Sequence, residues 1–214
     1  MLLPYHPELL DLLREPTLED PWRVLVSGCL AGQACGVDGT DYGMGADGAT
    51  FLGLPRVRGV PFCPEAHRLG VPRNTPDLHG GDGVDVLAGR ARVLDEHGTD
   101  VTEAMIAGAE AMVALARSAR VDFALLTDAS AACGSQVVNL GSRFVEPRVR
   151  QKGVGVATAA LLAAGFHVVS ARDFRTLGRL RARCDPAWSP ELDAPDHQDH
   201  PWTLENLPGR HPRA

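Results

Sequence analysis

Residues 24–39 read VLVSGCLAGQACGVDG. Val24, Leu25 and Val26 make a short apolar run that Ser27, Gly28 and Cys29 close at once. A fully apolar run bounded by glycine predicts a buried parallel strand that ends in a loop. Two thiols, Cys29 and Cys35, then stand near the carboxyl end of that strand, the edge at which open α/β sheets bind ligands. The pattern recurs twice further on. Residues 59–65, GVPFCPE, predict a second short strand with Cys63 at its end, where Pro64 stops ladder hydrogen bonding. Residues 122–126, DFALL, predict a third strand, and TDASAACG after it brings in Cys133.

Helices and turns fill the spaces between. Asp100 and Glu103 match a capping box that opens a helix over 101–119, with Met105, Ala109, Met112, Val113 and Ala116 on one face. A second helix is expected over 155–164, stopped by Gly165, followed by a fourth strand over 166–170. Residues 84–95, VDVLAGRARVLD, alternate apolar and polar around Ala88-Gly89 and predict a β-hairpin. Stretches 36–59, 66–82 and 141–155 read as loops, the first with room for one helical turn. This order predicts a compact, Rossmann-like α/β layered sandwich with a mainly parallel sheet and a small β-hairpin. Residues 1–22 form an expected helical extension, with Leu2, Leu3, Leu9, Leu10, Leu12 and Leu13 capping the core. Residues 23–171 form the α/β domain, and 172–214 a Pro- and His-rich extension that starts with a basic helix.

The chain has 214 residues and a formal net charge of −6, from 21 Lys plus Arg against 27 Asp plus Glu. That balance argues against a nucleic-acid polymer as partner, but leaves room for a small neutral nucleobase. No apolar stretch is long enough to span a membrane. The leucine-rich start carries Glu8 and Asp11 and lacks a basic leader, so a cytoplasmic protein is expected. Five cysteines, an odd number in a reducing compartment, favour metal or catalysis over a disulfide framework.

If the strands are parallel neighbours, Cys29, Cys63 and Cys133 meet at one edge. Three thiolates form a soft site suited to iron–sulfur or zinc; three cysteines packed as small apolar residues are the plain alternative. No local CxxC pair favours zinc. Glu65 is a candidate base beside such a site and Ser130 a candidate hydrogen-bonding partner, against surface glutamate and turn serine as ordinary roles. Cys35 fits a fourth ligand, a resolving thiol or a loop residue. The stretch KGVGVATAALL is not GxGxxG after a strand and reads as close helix packing, with anion binding at the helix start as the lesser alternative. Arg148, Arg150 and Lys152 suit a wet surface or anion steering, Cys184 is expected to be uninvolved, and His197, His200 and His211 are expected to be solvated.

Five stretches in order resemble one family. VSGCLAGQACGVDG resembles its Cys-Leu-x-Gly-x-x-Cys-x-x-Asp-Gly, and CPEAHRLGVPRN its Cys-Pro-Glu with Gly-x-Pro-Arg. DVTEAMIAGAE, LLTDASAACGS and GVGVATAALLAAGFHVVS resemble its helix start, its Ser-Pro-Ser-Cys-Gly segment and its closing helix and strand. The chain is identified as similar to the thiouracil desulfidase (TudS-like) family, long catalogued as a domain of unknown function. The resemblance implies a 4Fe-4S cluster held by Cys29, Cys63 and Cys133 with one open iron. It implies Glu65 and Ser130 as the catalytic pair. The implied activity is non-redox desulfuration of a small thiolated heterocycle such as thiouracil, releasing sulfide. A cluster-bearing sensor or sulfur-carrier module is the alternative. The family's Ser-Pro-Ser-Cys is Ser130-Ala131-Ala132-Cys133 here, and its usual Lys is Thr127; both departures border the expected pocket.

Overall fold

Helix α1 (Pro7–Leu10) leads into β1 (Trp22–Ser27), which passes directly into a 3-10 turn at Gly28–Ala31. Helix α2 (Gly45–Leu52), β2 (Val57–Phe62), α3 (Pro64–Leu69), β3 (Asp77–His79), α4 (Gly83–Leu87) and β4 (Arg92–Leu94) follow. Then come α5 (Thr102–Ser118), β5 (Phe123–Leu126), β6 (Val137–Leu140), β7 (Val149–Lys152), α6 (Val156–Ala163) and β8 (Val168–Ser170). Helices α7 (Phe174–Cys184) and α8 (Pro201–Asn206) come last. The computed structural model describes residues 7–191 and 193–207; Leu2, Leu3 and His211 lie outside them. Among the described residues, no helix is long and apolar enough to cross a membrane.

The first sheet has the order β2-β1-β5-β8, and every neighbouring pair is parallel. β1 is central, which is why its apolar run is unbroken: both of its faces are covered. Leu25 packs on one face with Met105, Ala109 and Met112 of α5 and Leu161 of α6. Trp22, Val24 and Val26 pack on the other with Phe51, Phe123, Leu180 and Cys184. The register pairs Ser27 with Phe62 and Val26 with Leu125. The chain therefore leaves β1, β2 and β5 at the same edge, just before Cys29, Cys63 and the loop to Cys133.

A second sheet, β4-β3-β6-β7, mixes one parallel pair with two antiparallel ones. Two of its four strands fall in stretches that read as loops, β3 within 66–82 and β7 within 141–155; the eight-residue α2 lies within 36–59, and α3 runs from the end of the expected second strand into 66–82. The hairpin expected at 84–95 is a correction. Asp82 accepts the N–H groups of Val84 and Asp85 and completes a capping box with Asp85, so Gly83–Leu87 winds into α4. Only β4 of that stretch is a strand, and its antiparallel partner is β3. At α5 the expected capping box gives way to a helix that starts after Val101, with Asp100 accepting from the Thr102 N–H at 2.9 Å. Among the described residues α1 ends at Leu10, short of Leu12 and Leu13; Leu10 is buried, but Leu12 is exposed.

Candidate metal centre and active site

The shared edge of β1, β2 and β5 borders a cavity of about 230 Å³ whose wall includes Cys29, Cys35, Cys63, Cys133, Glu65 and Ser130. Every site residue expected from the sequence thus reaches one place. Each arrives by a local device. Cys29 sits in the 3-10 turn that follows β1 without a linker. Gly28 precedes it in close quarters, where a Cβ would stand 3.0 Å from Cys35 Sγ and 3.3 Å from Cys63 Cβ. Cys63 is the N-cap of α3: its Sγ accepts the Ala66 N–H at 3.3 Å, with Pro64 opening the helix. Cys133 follows β5 and is buried; its carbonyl accepts the Thr158 hydroxyl of α6 at 2.9 Å.

All five cysteines are free thiols. Cys63 Sγ donates to the Cys35 carbonyl oxygen at 3.8 Å. The neighbouring Cys29 thiol, together with burial, pushes the Cys35 thiol up to about 11, against the opposing effect of Cys63. The Cys63 thiol is raised by its bond with Cys35 and by burial, and the Cys133 thiol chiefly by burial. Without a cation these thiols hold their protons; a soft metal that binds the thiolates would release them. Among the described residues, no three His, Cys, Asp or Glu side chains are spaced to hold a single metal ion. Thiolates that bind different irons of a cluster need only surround it.

Glu65 and Ser130 are in direct contact: the Ser130 hydroxyl donates to Glu65 Oε1 at 3.0 Å. The same Ser130 oxygen accepts the N–H groups of Ala132 and Cys133 at 3.2 and 2.9 Å, which fixes the hydroxyl toward the carboxylate. Arg73 grips the other oxygen, with Nη2 2.7 Å from Glu65 Oε2. Its Nη1 donates to the carbonyls of Cys35, Gly36 and Gly70. The pair is nearly dry, with side chains 5% and 11% exposed. Nε of Arg73 is buried with no acceptor among the described residues.

Two residues of this environment were not singled out from the sequence. Arg73 lay in the GVPRN stretch without a role, and Asp128 carried no signal because its partner His197 is 69 positions away. His197 is a correction to the expectation of solvated tail histidines: it is 4% exposed, and its Nδ1 lies 2.9 Å from Asp128 Oδ2. Burial opposes the charge on Asp128, but its hydrogen bonds, that with His197 foremost, outweigh it and hold that carboxyl below its usual range. Cys184 is buried in the core on one face of the first sheet and does not line the cavity.

The fold and this cleft define a class: an α/β protein that gathers four thiols and a buried carboxylate at the carboxyl edge of a parallel sheet. The model of the 2-thiouracil desulfurase family matches residues 24–173, and the chain belongs to that family. It is 31% identical over 155 residues to YbbK of Bacillus subtilis (strain 168), described as uncharacterized; the match covers 72% of this chain and 99% of that one. The solved structure of TudS, a 4Fe-4S-dependent thiouracil desulfidase, is similar with a TM-score of 0.59 at 31% identity, covering 75% of this chain and 98% of that one. The family resemblance read from the five motifs therefore holds.

Proposed function

We propose that this chain is an iron–sulfur-dependent desulfidase acting in the cytoplasm. It would hydrolyse the C–S bond of a small thiolated heterocycle such as thiouracil and release sulfide. The observation that carries the reading is the Glu65 carboxylate, held between the Ser130 hydroxyl and the Arg73 guanidinium in the wall of a thiol-lined cavity. Cys29, Cys63 and Cys133 would hold a 4Fe-4S cluster with one iron open, and Cys35 is the alternative ligand. The donor set suits that group: thiolates are soft ligands, and the unused buried Nε of Arg73 is a donor that inorganic sulfide can accept. When bound, the cluster supplies a soft Lewis acid for the substrate sulfur.

The remaining chemistry belongs to side chains of this chain. Glu65 removes a proton from a water whose oxygen bonds to the thiocarbonyl carbon. Arg73 occupies Oε2 and leaves Oε1 as the working atom. Ser130, which donates to Oε1 and is itself held by two backbone N–H groups, orients the carboxylate toward that water. The C–S bond breaks with its electron pair on sulfur, the second proton of the water leaves with it as hydrosulfide, and Glu65 returns its proton to solvent, giving an oxo-heterocycle with no net electron transfer. Glu65→Gln tests this assignment. The variant should keep the iron–sulfur absorbance of the native protein and lose roughly 10²–10⁴-fold in kcat on 2-thiouracil, the usual worth of a general base. Native turnover in that variant would remove Glu65 from the mechanism.

A further inference from the structure

The family-matched span ends at Asp173, yet a buried side chain from beyond it reaches the loop that carries Ser130 and Cys133. That loop is closed by the carboxylate of Asp128. Oδ1 accepts the backbone N–H groups of Ser135, Gln136 and Val137 at 3.1, 2.8 and 3.0 Å, and the Ser135 hydroxyl at 3.0 Å. Oδ2 accepts the Ser170 hydroxyl and meets His197 Nδ1. His197 is held in turn from behind. Its N–H donates to Asp173 Oδ1 at 3.0 Å, and Asp173 also takes the Gln136 amide at 2.9 Å. The neighbouring Asp196 is fastened to α7 through the N–H and hydroxyl of Thr176 at 2.9 and 2.8 Å.

Between Asp128 and Ser130, Ala129 adopts a positive φ of 57°. A residue with a Cβ keeps that conformation only where its surroundings fix it. Here Ala129 donates to the Val137 carbonyl at 2.9 Å and accepts from Asn139 at 3.2 Å, and the Asp128 carboxylate closes the same turn. Release of Asp128 would let Ala129 relax and swing the Ser130 hydroxyl away from Glu65.

We infer that His197, delivered by the carboxyl-terminal extension, is a positioning residue of the active site: it fixes Asp128, and through Asp128 the loop that presents Ser130 to Glu65. The kinetic consequence rests on the function proposed above; the structural one does not. Three variants of the full-length holoprotein test it: His197→Ala, His197→Leu and His197→Asn. Asparagine restores an N–H donor near the position of Nδ1, whereas leucine restores only bulk. Amide hydrogen exchange at Ser135, Gln136 and Val137 should quicken about tenfold or more in the Ala and Leu variants, and return toward native in the Asn variant. On 2-thiouracil, kcat should fall about tenfold in Ala and Leu with KM within about twofold, iron content unchanged and Asn partly rescued. Native exchange at those amides in His197→Ala would overturn the inference, as would rescue by Leu and not by Asn. If the native holoprotein fails to turn over 2-thiouracil, the proposed function falls, and the exchange comparison still decides the role of His197.

Discussion

Ser130 both donates to Glu65 and accepts two backbone N–H groups, so its hydroxyl has one direction left for its proton. Arg73 does the same for the carboxylate, tying Oε2 and three loop carbonyls to one guanidinium. Lysine has no planar fork to span that set. Arg73→Lys should therefore retain cluster absorbance and lose about tenfold in kcat, in line with a misaimed base; a variant with native kcat would leave Arg73 a purely structural tie. A second group sets a pH dependence. Burial lifts the Asp173 carboxyl to about 7. Between the ordinary carboxyl range and that value, the native state keeps a proton that the unfolded chain has lost. The contribution of Asp173 is thus complete at low pH and declines as pH rises through 7. Asp128 has the opposite sign: its carboxyl is held low, so its contribution is lost only as pH falls below the ordinary range. Urea midpoints between pH 4 and 8 should decline less steeply with rising pH in Asp173→Asn than in the native protein. Equal slopes would contradict the assignment.

The elements around the site pack by close backbone approach. A Cβ on Gly155, at the start of α6, would lie 2.3 Å from the Ala132 carbonyl oxygen, so Gly155→Ala must push the segment beside Cys133. The expected cost is about 1–3 kcal/mol of stability, as for other overpacked sites, read from urea unfolding, together with reduced iron uptake. An unchanged midpoint would show that the loop yields freely. These elements also show what the sequence carried. β1 and β5 were legible because buried parallel strands are continuous apolar runs, and α5 because seventeen residues give a long helical period. β3 and β7, Asp-Leu-His and Val-Arg-Gln-Lys, are too short and polar to show any period. α4 was misread because Val84, Val86 and the residues after them alternate like a strand. A side-chain cap at Asp82 needs only five residues to win that contest.

At the scale of the whole molecule, the chain beyond the family-matched span returns to the core. Leu180 and Cys184 of α7 complete the core on the face of β1 that carries Trp22. Arg183 lies 4.8 Å over the Trp22 ring and donates to the carbonyls of Leu10 and Leu13. Leu180→Ala should cost about 2–5 kcal/mol, as for buried leucines elsewhere, and lower the melting temperature; a neutral result would mean that the extension packs only loosely on the domain. Cys29, Cys63 and Cys133 were legible because each follows a different strand, and Glu65 because it stands two residues after Cys63. The tie from Asp128 to His197 was not, because nothing local marks two residues that only the folded chain brings together.

The central claim is that Cys29, Cys63 and Cys133 hold one iron–sulfur cluster beside Glu65. Iron and acid-labile sulfide after anaerobic reconstitution, measured for the native chain and for each of the three Cys→Ala variants, test it most directly. The account predicts about four of each per native chain and a large loss in every variant. Colourless, iron-free native protein, or variants that keep the full complement, would contradict it.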